Sequence, residues 1–394
     1  MARRLSLLAT AALLLALLLA GAYALTRPEP PTQVRARVAV AEALGGDSAG
    51  FARALAPVPI AFPTDHGPHP GYRTEWWYVT GNLATAEGRR FGYQLTFFRV
   101  ALAPQPAERQ SPWAANQVYM AHFALTDVDG GRFRAYERFA RAAHGLAGAQ
   151  AEPVRVWLED WSAEASPGAQ EPFPGLPALR LRAAEGDIAL DLLVESQKPA
   201  VLQGERGLSQ KGAEPGNASY YYSLTRLATS GTVRMGEQAF GVTGGSWLDR
   251  EWGTSALGPD QVGWDWFALQ LDDGREVMFY RLRRRDGTTD PFSGGTLVAP
   301  DGTARRIQAT DVRAEPLDYW QSPRGGRYPA RWRLAVPGEA LELEVAPYLP
   351  DQELDVTVRY WEGAVKVTGT SSGRSVRGEG YLEMTGYGDT GLPR

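Results

Sequence analysis

The sequence predicts an all-β protein that folds into two tandem antiparallel β-barrels. From residue 76 onward, short apolar segments alternate with turns rich in Gly, Pro and Asp, which is typical of antiparallel strands. Trp76 and Trp77 are adjacent on one predicted strand, so their rings point to opposite faces and both faces must be covered. A closed barrel with protein outside and a large ligand inside would cover both faces. A repeated aromatic hairpin indicates two such barrels.

The first 24 residues are expected to form a secretion signal. Arg3 and Arg4 precede the apolar segment 5–19, and Ala22-Tyr23-Ala24 has the small-x-small pattern of a cleavage site. We therefore expect an exported protein that is periplasmic after cleavage. If the segment stays uncleaved, it would be a short membrane anchor, with the protein facing the periplasm and close to the membrane.

The rest of the chain is expected to contain a tether and two domains. Residues 25–62 form the predicted lead-in or tether, with one amphipathic helix near residues 38–55. The mature chain of about 370 residues is longer than one barrel usually needs. We expect an N-terminal barrel domain over residues 63–250 and a C-terminal barrel domain over residues 251–394.

The composition excludes several classes of protein. There is no cysteine, so there is no disulfide, thiol nucleophile or lipidated cysteine, and the core must come from 12 Trp, 16 Tyr and 13 Phe residues. Cleavage would remove Arg3 and Arg4 and no acid, so the formal charge of −4 becomes −6, which argues against a nucleic-acid partner. No glycine-rich phosphate loop precedes a helix, and no Gly-x-Ser-x-Gly motif occurs, which excludes nucleotide binding and serine-hydrolase chemistry.

Alternating apolar segments predict the strands that follow the one at residue 76. They are 92–100, 119–125, 154–161, 188–194, 219–227, 277–282, 331–336, 341–345, 354–361, 364–368 and 380–384. Turn signals such as Asp129-Gly130-Gly131 and Asp273-Gly274 separate these segments, as hairpins require. Besides the helix near residues 38–55, one short helix is predicted, around residues 136–144.

The two aromatic hairpins share one pattern, an aromatic strand, a Gly-Arg turn and an aromatic strand that ends in Arg. The first consists of Trp77-Tyr78, Gly88-Arg89 and Thr96 to Arg99, and the second of Trp266-Phe267, Gly274-Arg275 and Met278 to Arg281. The offset is 189 residues at the tryptophans and 182 at the arginines, because the second turn is shorter. A chance match of aromatic hairpins is the alternative to a duplication.

The segment 246–253 is the densest cluster of candidate catalytic groups. On an extended chain Asp249 and Glu251 share one face, and Arg250 and Trp252 share the other. Paired acids could act in general acid–base catalysis, and burial would raise the pKa of one of them. The alternative is an ordinary inter-strand salt-bridge turn in which Arg250 pairs with an acid.

Glu75 is a third candidate acid. Burial between tryptophans would raise its pKa, and a protonated carboxylic acid can protonate an alkene. The alternative is a buried ion pair of Glu75 with Arg99 or Arg281 that stabilises the barrel.

The histidines do not predict a metal site. Asp65, His66 and His69 lie in a Pro-Gly loop, and His122 is alone on a strand. His122 is expected to line a cavity or the core, where a neutral imidazole could also relay a proton. Tyr221, in a run of three tyrosines, could orient the polar end of a ligand or pack in the core.

At these clusters the chain resembles the lipocalin-like superfamily that joins the carotenoid 1,2-hydratases to the AttH-like proteins. The likeness covers about residue 57 to the end. The motifs that carry it are His69 to Leu83, Gly92 to Arg99, Tyr119 to Ala124, Lys211-Gly212, Ser219 to Ser223 and Trp247 to Trp252. The resemblance implies two tandem lipocalin-like antiparallel β-barrels, in agreement with the repeated hairpin.

The resemblance implies two possible functions. The hydratase branch adds water to a terminal double bond of an acyclic carotenoid, without a cofactor, by protonation and capture of the carbocation by water. That branch has a histidine at the position of Arg250 and an acid near Phe279-Tyr280-Arg281, which this sequence lacks. The likeness therefore favours the AttH-like branch, whose members resemble exported companions of an ABC-type transporter.

We therefore expect an exported protein that binds a large apolar lipid or isoprenoid near the interface of its barrels, with an ABC transporter permease as a possible partner. A cofactor-free hydratase-like lyase is the alternative, with Asp249, Glu251 and Glu75 as its catalytic acids. No cofactor or metal is expected. The expected ligand-binding residues are Trp76, Trp77, Tyr78, His122, Tyr221, Trp247, Arg250, Trp252, Trp264 and Trp266.

Overall fold

Two antiparallel sheets make up the protein in the computed structural model, which describes residues 48–105, 111, 114–168, 171–255 and 257–388. All of these residues belong to one compact unit. The predicted secretion signal and the predicted helix up to residue 47 lie outside the described residues. Residues 48–55, the end of that predicted helix, are not helical.

The first sheet has the strand order β4-β3-β2-β1-β13-β12-β9-β8-β7-β6-β5, with β10 and β11 paired to β12. Its strands are β1 (Thr74–Ala84), β2 (Arg90–Ala101), β3 (Gln117–Asp127), β4 (Arg132–Arg141), β5 (Ala147–Gln150), β6 (Arg155–Leu158), β7 (Trp161–Ala165), β8 (Leu179–Glu185), β9 (Ile188–Ser196), β10 (Val201–Leu202), β11 (Leu208–Gln210), β12 (Ala218–Met235) and β13 (Gln238–Gly253).

The second sheet has the order β17-β16-β15-β14-β23-β22-β20-β19-β18, with β21 paired to β22. Its strands are β14 (Gln261–Leu271), β15 (Glu276–Arg284), β16 (Gly294–Val298), β17 (Ala304–Gln308), β18 (Arg313–Gln321), β19 (Arg327–Val336), β20 (Leu341–Pro347), β21 (Glu353–Leu354), β22 (Tyr360–Ser371) and β23 (Arg374–Met384). One of the two sheets is a nearly closed barrel and the other is a half-barrel, so the all-β, lipocalin-like prediction is confirmed.

Helix is rare in the described residues. The 3-10 helices that they contain are Thr64–His66, Ala309–Asp311 and Pro337–Glu339. The predicted helix at residues 136–144 is wrong, because residues 132–141 form β4 and pair with β3 along its whole length. None of the helices in the described part of the chain is long and apolar enough to span a membrane.

Both sheets follow the same topology. Each starts with four strands in a meander, and the first strand, β1 or β14, pairs on its other side with the last strand, β13 or β23. Glu75 lies opposite Arg99 in the first hairpin, and Asp265 lies opposite Arg281 in the second. The observed register therefore matches Trp266 with Trp76, one residue away from the Trp77 equivalence that the sequence offset predicted.

The first sheet buries a solid core on one of its faces. Trp77, Val79 and Phe97 belong to this core and are 5% exposed or less. Side chains of the other face, such as Trp76 and Tyr78, point toward the second sheet and line a cavity there. The cavity therefore lies between the two sheets, near the interface where the ligand is expected, and core side chains fill the other face of the first sheet.

Candidate active site

The main cavity has a volume of about 250 Å³ and a mostly apolar wall built from both sheets. The first sheet contributes Trp76, Tyr78, Gln94, Phe98, Val100, Val118, Met120, His122, Phe139, Asp249 and Glu251. The second half of the chain contributes Trp264, Trp266, Thr357, Val358, Tyr360, Glu362 and Glu383. An apolar cleft with a few convergent polar groups is the usual form of a small-molecule site.

Four carboxyl groups reach this apolar cavity. Asp249 and Glu251 come from β13, Glu362 from β22 and Glu383 from β23. Carboxyl groups gathered in apolar surroundings repel one another when ionised and are poorly solvated. The cavity therefore combines an apolar wall with carboxyl groups that can accept or donate protons.

Strand register explains why these acids meet at the cavity. Asp249 and Glu251 are two residues apart on β13, so both side chains point to the same face. On the neighbouring strand β1, Trp76 lies opposite Glu251. In the second sheet, Glu383 lies opposite both Trp266 on β14 and Glu362 on β22. Each sheet thus presents a tryptophan beside a glutamate to the shared cavity.

Asp249 is buried at 4% exposure and is held by side-chain donors. Its Oδ1 accepts hydrogen bonds from Ser223 Oγ at 2.5 Å and from Trp247 Nε1 at 2.8 Å. Burial away from water, together with the nearby charge of Glu251, raises the pKa of Asp249 to about 6, although the hydrogen bonds from these donors lower it. Near neutral pH this group exists mainly as a carboxylate.

Glu383 differs from Asp249 because it favours the protonated form near neutral pH. Loss of solvation raises the pKa of Glu383 to about 8, and the charges of Asp249 and Glu251 act in the same direction. Burial and the neighbouring Glu383 hold the pKa of Glu362 well above its ordinary value. Tyr78 donates a hydrogen bond to Glu362 Oε1 at 2.6 Å, and Oε2 has no partner among the described residues.

A chain of neutral polar groups lies at another part of the wall. The hydroxyl of Tyr360 is 2.7 Å from His122 Nδ1 and accepts a hydrogen bond from Gln94 Nε2 at 2.9 Å. Burial lowers the pKa of His122 to about 3, so the imidazole is neutral at physiological pH. His122 therefore lines the cavity, as the sequence predicted for a cavity or core position, but as a neutral hydrogen-bonding group.

Glu75 lies outside the main cavity, in a buried network of charged groups. It forms ion pairs with Arg99 and with Arg250, and it accepts hydrogen bonds from the backbone N–H of His69 at 3.0 and 3.1 Å. Although burial alone would raise it, the pKa of Glu75 lies below its ordinary value because two guanidinium groups and His69 favour the ionised form. Glu75 therefore has no proton to donate, and the ion pair with Arg99 is the interpretation that the geometry supports.

Several predicted ligand-binding residues also lie away from the cavity. Trp77 and Trp252 pack in the core of the first sheet, and the guanidinium of Arg250 lies 3.8 Å from the centre of the Trp77 ring. Tyr221 and Trp247 belong to a small buried cluster between the sheets and do not line the cavity. The predicted residues that do line it are Trp76, Tyr78, His122, Asp249, Glu251, Trp264 and Trp266.

The sequence analysis missed Glu362, Glu383 and Tyr360, which lie on the last two strands of the second sheet. The signal for Glu383 was present, since an acid within the apolar segment Tyr381 to Met384 is unusual on a buried strand. Within the described ranges, no group of three or more His, Asp or Glu side chains is arranged to hold a metal ion.

Comparisons with known proteins agree with this fold. A family model described as AttH-like matches residues 53–387. A solved structure from Nitrosomonas europaea, provisionally assigned as an AttH protein, is 35% identical, has a TM-score of 0.73 and covers 85% of this chain and all of its own. Kievitone hydratase from Nectria haematococca shows the same fold at 16% identity, with a TM-score of 0.64 over 85% of this chain and 95% of its own.

A relative found by sequence comparison has the same name as the second of these structures. Kievitone hydratase from Fusarium solani subsp. phaseoli is 23% identical over 222 residues, which are 52% of this chain. The match spans 59% of the length of that relative.

Proposed function

The chain belongs to the AttH-like family, and on that premise we propose that it is a cofactor-free, hydratase-like lyase that adds water to a carbon–carbon double bond of an apolar, isoprenoid-like substrate. The observation that carries the proposal is the set of buried carboxyl groups in an apolar cavity, with pKa values raised to different extents. Titratable groups whose pKa values are pushed apart in one site are typical of acid–base pairs.

Glu383 is the proposed proton donor. With a pKa of about 8, it is mostly protonated at neutral pH and can transfer its proton to one alkene carbon. The alkene π electrons form the new C–H bond, which leaves a carbocation on the other carbon and a carboxylate on Glu383. Trp76 and Trp266 line the same cavity, and the π faces of such rings stabilise a cation.

Asp249 is the proposed base for the attacking water. With a pKa of about 6, it is mainly ionised at pH 7 and can accept a proton as the water oxygen bonds to the cation. The product is a tertiary alcohol when the cationic carbon carries three carbon substituents. The proton on Asp249 must then return to Glu383, directly or through solvent, to complete the cycle.

The comparisons support a hydratase more than a transporter-associated carrier. The curated relative and one structural neighbour are both named kievitone hydratase, and the same fold therefore occurs in proteins named for water addition. No observation on the described residues favours a permease partner.

The cavity suggests which part of a substrate reacts there. Its volume of about 250 Å³ is near the lower end of the range of about 300–1,000 Å³ that is usual for ligand pockets. Phe139 lines the cavity and is 50% exposed, so this side of the cavity lies near solvent. We infer that one isoprenoid end is enclosed and that a longer chain would extend past Phe139.

Incorporation of ¹⁸O from labelled water tests the proposal. The purified protein is incubated in H₂¹⁸O with short and long acyclic isoprenoids, including myrcene, geraniol and lycopene, and the extracts are analysed by mass spectrometry. Enzyme-dependent formation of an ¹⁸O-labelled alcohol supports the lyase. Tight retention of an isoprenoid with no labelled alcohol from any of them would contradict it and favour an apolar carrier.

Export is part of the proposal and has its own test. The segment 1–24 predicts that the mature protein begins near Leu25 in the periplasm. N-terminal sequencing of protein from an exported fraction measures this directly. An intact Met1 in that fraction would support a membrane anchor.

A further inference from the structure

A second, smaller cavity adjoins the main one. It has a volume of about 70 Å³ and shares Trp76, Glu251, Trp264 and Trp266 with the wall of the main cavity. Its own lining includes Lys211, Ser219, Ser255 and the aliphatic side chains of Leu257 and Leu282. A substrate in the main cavity could therefore place one end beside Lys211.

Lys211 carries an ammonium group with unused hydrogen-bonding capacity. Its side chain is only 13% exposed, and Nζ has no hydrogen-bond partner among the described residues. The ammonium is held by the rings of Tyr280 and Trp266, whose centres lie 4.1 and 4.5 Å away, and by Glu251 Oε1 at 3.4 Å. These contacts compensate its charge but leave its N–H donors free for an acceptor.

The chemistry of the two charged groups selects the acceptor. A carboxylate ligand would accept from Lys211 but would be repelled by the carboxylate of Glu251. A hydroxyl group can accept a hydrogen bond from Lys211 Nζ and donate its own hydrogen to Glu251, so it satisfies both groups. A pure hydrocarbon would leave the ammonium of Lys211 without an acceptor and poorly solvated, whereas Glu251 Oε1 already accepts a hydrogen bond from Ser219 Oγ.

We propose that the smaller cavity is a subsite for a hydroxyl group, and that the substrate is an isoprenoid alcohol or phenol whose hydroxyl end lies at Lys211 and whose alkene lies in the main cavity. This inference rests on the proposed function for the identity of the reacting end. Lys211 is a positioning residue in this arrangement, because it contacts the end of the substrate that does not react.

Binding of matched C10 probes tests the subsite. The probes are geraniol, which has a hydroxyl, geranyl methyl ether, which can only accept, and myrcene, which is a hydrocarbon. Their affinities are measured by calorimetry for the wild type, for Lys211→Met, and for Lys366→Met as a control at an exposed lysine on β22. Circular dichroism establishes that each variant is folded.

Loss of Lys211 should weaken geraniol binding by about 10-fold or more, since a hydrogen bond to a charged group is lost, and should leave myrcene within about twofold. Lys366→Met should behave like the wild type. The wild type provides a test that needs no variant, because geranyl methyl ether should bind more weakly than geraniol. The subsite would be overturned if Lys211→Met lost affinity equally for geraniol and myrcene, or lost none. It would also be overturned if the wild type did not prefer the alcohol over the ether, or bound none of the probes.

Hydration is measured separately on geraniol and myrcene, so that the two proposals can fail independently. If the wild type hydrates neither probe but shows the Lys211-dependent preference for geraniol, the subsite stands and the lyase fails. If the wild type hydrates both probes and Lys211→Met has no selective effect, the lyase stands and the subsite fails.

Discussion

Glu383 occupies in the second sheet the position that Glu251 occupies in the first. Each lies opposite the cavity-lining tryptophan of its sheet's first strand, Glu251 opposite Trp76 and Glu383 opposite Trp266. Their surroundings differ, because Glu251 is 3.4 Å from the ammonium of Lys211, whereas Glu383 is adjacent to a second carboxyl group. One structural position has therefore acquired two electrostatic environments.

Replacement of the proposed proton donor should separate binding from reaction. Glu383→Gln is expected to lower the hydration rate by about 10²-fold or more, because the amide cannot transfer a proton, while affinity for the substrate changes little. Rates from ¹⁸O-labelled product and affinities from calorimetry measure the two effects. Glu342→Gln, at an exposed acid on β20, is the matched control. A Glu383→Gln protein with the wild-type rate would exclude Glu383 as the donor.

The pH dependence of hydration should be bell-shaped. The proposed base Asp249 must be ionised, so kcat/KM should fall as pH drops below about 6. The proposed acid Glu383 must be protonated, so kcat/KM should also fall as pH rises above about 8. Initial rates between pH 4.5 and 9.5 in buffers of constant ionic strength measure the profile. A flat profile across this range, with the protein folded throughout, would contradict the assignment of both groups.

The raised pKa of Glu383 also predicts that the stability of the protein depends on pH. The folded-state pKa of Glu383, about 8, lies above the ordinary value of 4.5, so the folded protein binds more protons than the unfolded chain between these values. This group therefore lowers the free energy of unfolding as pH rises through that window. Glu383→Gln should be more stable than the wild type at pH 9 and show little such gain at pH 4.5. Urea unfolding followed by tryptophan fluorescence measures the difference, and an equal effect at both pH values would contradict it.

The adjacent tryptophans should have opposite phenotypes. Trp76 lines the cavity, so Trp76→Ala should weaken binding of myrcene by about 10-fold or more through lost apolar contact, with little loss of stability. Trp77 is buried in the core, so Trp77→Ala should cost about 3–5 kcal/mol of stability. Chemical denaturation and calorimetry on the two variants measure both quantities. Similar losses of binding without any difference in stability would contradict the assignment of the two faces.

Glu75 should prove structural. Glu75→Gln leaves Arg99 and Arg250 without their buried carboxylate, which is expected to cost about 3–5 kcal/mol at pH 7. Because the folded-state pKa of Glu75 lies below 4.5, its contribution is present above that pH and is lost as pH falls further, so the gap between variant and wild type should narrow in acid. Unfolding curves at pH 7 and pH 3 measure this. A folded Glu75→Gln variant that has lost hydration alone would instead return Glu75 to the catalytic groups.

The sequence could predict the strands and the dense segments of the site, but not which face of each strand meets the ligand. Alternation in β1 separates Trp76 from Trp77, yet both faces of that strand are apolar, so periodicity does not reveal which ring packs in the core. The choice depends on the second sheet, which covers the Trp76 face. For this reason Trp77, Trp252 and Arg250 were predicted as ligand-binding residues but lie away from the cavity.

The acids of the second sheet were only partly predictable. An acid in the apolar segment 381–384 was a sequence signal for Glu383, whereas its equivalence to Glu251 follows only from the pairing of β23 with β14 and of β13 with β1. Glu362 has no such signal, because the residue in its equivalent position beside Glu251 is Tyr221. Its role depends on a cross-strand contact that only the folded chain creates.

Two matching Trp–Glu pairs in one cavity would, by themselves, bind a substrate equally well in two opposite orientations. The difference between Tyr221 and Glu362 removes this ambiguity, because Glu383 in the second sheet has a second carboxyl group beside it, whereas Glu251 in the first sheet has a tyrosine. Glu383 and Asp249 also belong to different sheets, so proton and water would approach the alkene from different walls. A prochiral alkene should therefore yield predominantly one enantiomer of the alcohol.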